Sequence, residues 1–95
     1  MELTGKEKRA LRARGSLQKP IVYLGKEGLN ARHVSFISDA FNTRELIKIK
    51  IHNTHPLDKE TIVQEISDKL EDVSVVQVIG NNILLFRPFP DDKES

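Results

Sequence analysis

Apolar residues recur along this chain at two different spacings, and each spacing predicts one type of element. Spacings of three and four, typical of a helix with one buried face, occur over residues 31–42 and 59–70. The apolar residues with these spacings are Val34, Ile37, Ala40, Phe41, Ile62, Val63, Ile66 and Leu70. Strict alternation over residues 45–51 predicts a half-buried strand with Lys48 and Lys50 on its outer face.

Three short apolar runs predict the remaining strands. The first spans residues 20–24, and two more span residues 74–79 and 82–87. A two-residue turn at 80–81 or 81–82 joins the last two runs as an antiparallel hairpin, because glycine and asparagine favour such turns. The chain is therefore expected to contain four strands.

Residues that favour helix ends predict where the helices begin and stop. Thr4 followed by Glu7 predicts a capping box at the start of a first helix, which we expect Gly15 to end. Asn30 and Asp58 are expected to cap the second and third helices, since their side chains accept hydrogen bonds from free backbone N–H groups.

Together these elements predict an α/β (α+β) fold with the order α-β-α-β-α-β-β. Strands separated by a helix form right-handed parallel crossovers, whereas the last two strands are antiparallel. We expect a four-stranded mixed sheet with helices packed mainly on one face. The 95 residues are enough for one domain, expected over residues 1–90 and followed by a disordered acidic tail at 91–95.

Composition then narrows the class of protein. The chain has no cysteine, no apolar run long enough to span a membrane and no apolar leader, so we expect a cytoplasmic protein without a membrane partner. Ser35, Ser38 and Ser74 lie in no nucleophile-elbow pattern. We expect a monomer that is not an enzyme and that uses no cofactor and no small-molecule substrate.

Charge is distributed unevenly along the chain. Residues 1–32 carry eight basic and three acidic residues, a net charge of +5, whereas residues 33–95 carry seven and eleven, a net charge of −4. A basic first third predicts a surface that binds a polyanion such as RNA or DNA. Aromatic residues are few, and only Tyr23 and Phe89 are candidates for base stacking, so we expect recognition of shape and backbone.

The first helix is predicted to be basic on its outer side. Lys8, Arg9 and Arg12 fall within one arc of about 100° and are expected to face outward. The helix would dock weakly on the core through its apolar residues. Those residues are Leu3, Ala10 and Leu11.

A glycine loop, residues 25–28 (Gly25-Lys26-Glu27-Gly28), follows the first predicted strand. Two glycines permit close approach of a ligand, and the helix behind them offers free N–H groups, so this loop is a candidate phosphate-binding corner. An ordinary strand-to-helix turn explains the same residues. Basic residues of several elements flank the loop, which favours contact with a nucleic-acid backbone. They are Lys8, Arg9, Arg12, Lys19, Arg32, Lys48 and Lys50.

Three blocks of sequence resemble one known family. The blocks are residues 20–29 (PIVYLGKEGL), 45–51 (ELIKIKI) and 76–87 (VQVIGNNILLFR). In order and spacing they resemble the CRM domain, named for chloroplast RNA splicing and ribosome maturation, and its stand-alone bacterial YhbY-like form. The resemblance covers about residues 2–88 and implies a fold similar to the C-terminal domain of translation initiation factor 3. It also implies RNA binding, association with large-subunit precursors and a role in ribosome assembly.

The resemblance further implies which residues contact RNA. The family's GXXG motif falls on Gly25, Lys26, Glu27 and Gly28. Its basic surface falls, by position, on Lys6, Lys8, Arg9, Arg12, Lys19, Lys26, Arg32, Lys48 and Lys50. A strand precedes the loop here, whereas in KH domains the GXXG loop joins two helices, so a KH-like clamp is an analogy.

Two functions of other classes stay open at this point. One is a protein-interaction adaptor that uses the acidic second half of the chain. The other is an iron- or zinc-dependent enzyme built on His52, His55 and Asp58. A polar connecting loop accounts for these three residues, so we expect no metal.

Overall fold

The elements of the chain follow the predicted order in a computed structural model, which describes residues 3–25, 29–52 and 59–89. They are α1 (Gly5–Gly15), β1 (Val22–Leu24), α2 (Ala31–Ala40), β2 (Leu46–Ile51), α3 (Lys59–Lys69), β3 (Ser74–Ile79) and β4 (Asn82–Phe86). The predicted α-β-α-β-α-β-β order is confirmed. The predicted acidic tail lies outside the described residues.

The four strands form one mixed sheet with the order β1-β2-β4-β3. β1 and β2 are parallel, as expected for strands joined by a helix, and β4 is antiparallel to both of its neighbours. Gly80 and Asn81 form the hairpin turn, and Gly80 has a φ of 55°. Glycine suits this position because a type II′ turn needs a positive φ at its first central residue. β3 has a bulge at Val76, between the paired residues Val75 and Gln77.

The main hydrophobic core lies on one face of the sheet, under α2 and α3. Alternate residues of the strands, such as Ile49, Ile83 and Leu85, point to this face and are fully buried. They pack against the apolar faces of the two helices, including Ile37 and Ile66. The predicted helical faces of α2 and α3 are therefore confirmed as core.

α1 packs alone on the opposite face of the sheet. It contacts the sheet through a second, smaller hydrophobic cluster, to which β2, β3 and β4 each contribute one residue. The cluster consists of Leu11, Leu46, Val76 and Leu84. Leu3 is partly buried against it, whereas Ala10, which was predicted to dock, is exposed. Helices lie mainly on one face, as predicted, with α1 as the exception.

Two of the three predicted helix caps are confirmed. Glu7 N–H donates to Thr4 Oγ1 over 3.1 Å and Thr4 N–H donates to Glu7 Oε1 over 2.8 Å, which is a reciprocal capping box. At α2, His33 N–H donates to Asn30 Oδ1 over 3.0 Å, and Asn30 N–H donates to His33 Nδ1. Asp58, the predicted cap of α3, lies outside the described residues.

Gly15 ends α1 for a different reason than predicted. It is the last residue of the helix, and the C-cap residue Ser16 has an ordinary helical φ of −63°. A Cβ atom added at Gly15 would lie only 2.5 Å from Leu84 Cδ2. Because Leu84 is buried and has little room to move, glycine at this position permits the close approach of α1 to β4.

The segment after β4 is fixed to the start of β2. Arg87 N–H donates to Glu45 O over 2.9 Å, and Phe89 N–H donates to the Glu45 carboxylate over 2.7 Å. The Arg87 guanidinium lies 5.2 Å from the centre of the Phe41 ring and 3.5 Å from the Asp72 carboxylate. These contacts place Phe89 near the amino end of β2.

Candidate nucleic-acid interface

A row of residues crosses all four strands on the face of the sheet that carries α1. Tyr23 pairs with Lys50, Lys50 pairs with Asn82, and Asn82 pairs with Ile79. These four residues, here called the open row, share a face because paired residues point to the same side of a sheet. Neighbouring strands lie about 4.8 Å apart, so the open row spans about 14 Å.

α1 leaves most of the open row accessible to solvent. Tyr23 is 64% exposed and Ile79 is 59% exposed, Lys50 is exposed, and Asn82 is half-buried. None of the four side chains belongs to either hydrophobic cluster. An aromatic ring, an ammonium group and an amide on one surface can stack on a base, neutralise a phosphate and hydrogen-bond to polar groups.

Lys48 extends this basic face towards α1. It lies two residues before Lys50 on β2, so both side chains are on the same face. Lys48 is half-buried and lines a cleft of about 260 Å³ together with Gly15, Ser16 and Gln77. The predicted basic outer face of β2 is confirmed, although Leu46 on that same face is buried under α1.

A larger cleft, of about 500 Å³, lies where the parallel strands β1 and β2 end. Its described lining consists of Tyr23, Leu24, Gly25, Lys50, Ile51, His52 and Asn81. Backbone hydrogen bonds from His52 N–H to Leu24 O (2.8 Å) and from Ile51 N–H to Asn81 O (2.7 Å) join these segments. Clefts outside the carboxyl ends of parallel strands commonly bind ligands.

Gly25 lies at the edge of this cleft and begins the glycine loop. It is exposed, its φ is not in the left-handed region, and an added Cβ would meet nothing within 4 Å. The described structure therefore does not require glycine there. Lys26, Glu27 and Gly28 lie outside the described residues, so the contact of this loop with RNA stays a prediction.

The basic residues of α1 are placed unequally. Lys6 and Arg9 are exposed, whereas Lys8 and Arg12 are half-buried. Lys8 precedes the buried Leu11 by three residues and therefore lies on the same side of the helix. Arg9 is exposed as predicted, whereas Lys8 and Arg12 are half-buried and flank the packed side of the helix, so their contact with RNA stays a prediction.

Two further predicted contact residues lie apart from the open row. Lys19 is exposed in the segment before β1. Arg32 is exposed in the first turn of α2, and α2 packs on the other face of the sheet. The structure therefore brings Lys48 and Lys50 together on one face, whereas Arg32 is on a helix that packs on the other face.

Exposed aromatic side chains occur at one more position than the sequence predicted. Tyr23 and Phe89 are exposed as expected, but Phe36 on α2 is also 52% exposed. A helical wheel of α2 would have shown Phe36 outside the apolar stripe of that helix. Tyr23 lies beside Lys50, whereas Phe36 is on a helix of the opposite face and Phe89 lies near the start of β2.

The described residues give no support to a metal site. Within residues 3–25, 29–52 and 59–89, no three His, Asp or Glu side chains are arranged to hold a metal ion. His55 and Asp58 of the metal-enzyme hypothesis lie outside this part of the chain. In the same ranges, each helix is too short or too polar to cross a membrane.

Fold and site together define a small α/β domain with a basic, partly open sheet face beside a glycine loop. The chain belongs to the CRS1 / YhbY (CRM) domain family, whose model matches residues 3–87. The family resemblance and the predicted fold class are therefore confirmed.

Known proteins match the chain over nearly its whole length. It is 35% identical to "Probable RNA-binding protein YqeI" of Bacillus subtilis, over 97% of this chain and 95% of the relative. It is 32% identical to a protein of Haemophilus influenzae named "RNA-binding protein", over 96% and 91%. The solution structure of Staphylococcus aureus SAV1595 is similar, with a TM-score of 0.78, 35% identity and 98% and 96% coverage.

Proposed function

We propose that this protein binds RNA of the large ribosomal subunit precursor and assists assembly of that subunit. The observation that carries RNA binding is the position of Tyr23, Lys48 and Lys50 on one face of the sheet, outside both hydrophobic clusters. Tyr23 and Lys50 are exposed, and Lys48 is half-buried. Family membership and the names of two full-length relatives support the same function. The ribosomal part rests on the family resemblance.

RNA contact in this proposal is mainly electrostatic. Lysine and arginine side chains neutralise phosphates and release counterions, which favours binding without reading the sequence. The surface consists of Lys6, Lys8, Arg9, Arg12, Lys19, Arg32, Lys48, Lys50 and the glycine loop, residues 25–28. The protein acts as a monomer in the cytoplasm, and it is not an enzyme.

Crosslinking the protein to RNA in cells and sequencing the attached RNA tests the proposed partner. We expect the fragments to map mainly to the large-subunit precursor. A double variant, Lys48→Gln with Lys50→Gln, should crosslink poorly, whereas Arg44→Gln should crosslink like the parent because Arg44 is exposed near the other end of β2. Fragments spread over messenger RNA would contradict the ribosomal role, and absence of crosslinks would contradict RNA binding.

Gly25→Ala tests the glycine loop. Since an added Cβ meets nothing and φ is not positive, we expect the free energy of unfolding to change by less than about 0.5 kcal/mol. If the RNA backbone approaches Gly25 closely, the added methyl group should weaken RNA binding several-fold. Unchanged affinity in filter binding would show the loop to be an ordinary turn.

A further inference from the structure

The cleft at the ends of β1 and β2 has a lining that suits a single nucleotide. We infer that it binds one unpaired nucleotide of the RNA, with the base stacked on Tyr23 and a phosphate beside Lys50. This inference rests on the proposed RNA binding and names the kind of RNA that the same face prefers. It adds a base contact to the backbone contacts expected from sequence.

The cleft is large enough for a small ligand such as one nucleotide. Its volume of about 500 Å³ lies within the range of about 300–1,000 Å³ that is typical of small-ligand sites. Bases inside double-stranded RNA are paired and stacked, so their faces are covered. Only an unpaired base, in a bulge, loop or end, can enter the cleft and expose a face to a side chain.

The chemistry of the lining supports stacking. Tyr23 is 64% exposed although its neighbours Val22 and Leu24 are buried, so the ring is available to a ligand. Base–aromatic stacking is tolerant of sequence because every base has a π-face. Lys50 pairs with Tyr23 in register and places a positive charge next to the ring, where a stacked nucleotide has its phosphate.

Two further features make room for the nucleotide and contact it. Gly25 borders the cleft without a side chain, which leaves the space above the end of β1 open. Asn81 contributes an amide that can both donate to and accept from the edge of a base. Its position is fixed because its backbone carbonyl accepts a hydrogen bond from Ile51 N–H.

Intrinsic fluorescence reports directly on this cleft, because Tyr23 is the sole tyrosine and the chain has no tryptophan. The probes are three RNA duplexes of one sequence: fully paired, with one unpaired adenosine, and with an abasic ribose in place of that adenosine. We expect the bulged duplex to quench Tyr23 and to bind about tenfold more tightly than the other two.

Substitutions of Tyr23 test whether its aromatic ring causes the preference for the unpaired adenosine. Tyr23→Phe should keep the preference for the unpaired adenosine, whereas Tyr23→Leu should lose about tenfold in affinity for that RNA and change its affinity for the paired duplex less than twofold. Phe36→Leu is the matched control, since Phe36 is exposed on α2 and should not affect binding. Melting of each variant shows that it folds.

Equal affinity for the three RNAs, or equal affinity of Tyr23→Leu and parent for the bulged RNA, would overturn the nucleotide site and leave the proposed RNA binding intact. Binding of none of the three at low salt would overturn both.

Discussion

The two faces of the sheet differ in how much helix covers them. One face is covered by α2 and α3, and its strand residues are apolar and mostly buried, although Val78 near the hairpin is 39% exposed. The other face is covered by α1 alone, through a cluster of four buried residues. The remainder of that second face exposes the open row, with its tyrosine and lysine. The first face therefore supplies most of the hydrophobic stability, and the second leaves polar groups free for a ligand.

A single strand contributes to both roles. On β2, Ile47, Ile49 and Ile51 point into the main core, whereas Lys48 and Lys50 point to the α1 face. Folding explains the isoleucines, because burial of each contributes about 1.5–3 kcal/mol. It does not explain the lysines. Substitutions of the isoleucines should therefore lower the stability of the protein, whereas substitutions of the neighbouring lysines should weaken RNA binding.

The largest expected loss of stability follows from a substitution on the face covered by α2 and α3. Ile49→Ala should lower the free energy of unfolding by about 2–5 kcal/mol, because Ile49 is fully buried and its loss leaves a cavity. Lys50→Gln, one residue along, should change it by less than about 0.5 kcal/mol. Urea unfolding of both variants checks the difference, and similar losses in the two would contradict the division of β2 into two faces.

A smaller effect is expected where α1 meets the sheet. Gly15→Ala should destabilise by about 1–3 kcal/mol, since the new methyl group overlaps the buried Leu84 side chain. Gly5→Ala in the same helix is the control, because its Cβ would have no neighbour closer than 3.9 Å. That variant should be neutral or more stable by at most about 1 kcal/mol. Thermal melts showing Gly15→Ala as stable as the parent would argue against close packing of α1.

Local signals in the sequence were sufficient for the elements and for the main core. The Thr4–Glu7 capping box, the Asn30 cap and the alternation of β2 each depend on residues close together in the chain. The order of strands in the sheet depends on pairing between distant segments, which periodicity does not report. The open row therefore could not be predicted, although Tyr23 and Lys50 were each singled out.

Other features also depended on distant contacts. Glycine is needed at position 15 because α1 approaches Leu84 closely there. Leu84 is far along the chain, so a local rule for helix ends gave the wrong explanation for this glycine. The half-burial of Lys8 and Arg12 follows from docking of α1 on the sheet, whose direction the helix sequence alone does not fix. The helical arc of the basic residues alone therefore did not show that these two side chains are half-buried.

The start of α2 links the covered face to the glycine loop. Asn30→Ala should cost about 1 kcal/mol, because the side-chain acceptor for His33 N–H is lost. Asn30→Asp should keep most of the stability, since a carboxylate caps equally well. Chemical denaturation measures both. Equal destabilisation by the two substitutions would contradict capping by the side-chain oxygen, because aspartate supplies the same acceptor.

The most direct test of the central claim, that RNA binds the α1 face of the sheet, is the salt dependence of affinity for Lys50→Gln and Arg44→Gln. Both residues are exposed, and each substitution removes one positive charge. With about four to six phosphate contacts, log K of the parent should fall with log salt at a slope of about −3 to −5.

Lys50→Gln should make that slope shallower by about 0.7–0.9, the contribution of one phosphate contact, and Arg44→Gln should leave it unchanged. A flat line for the parent, or the same slope for Lys50→Gln as for the parent, would contradict binding of RNA at this face.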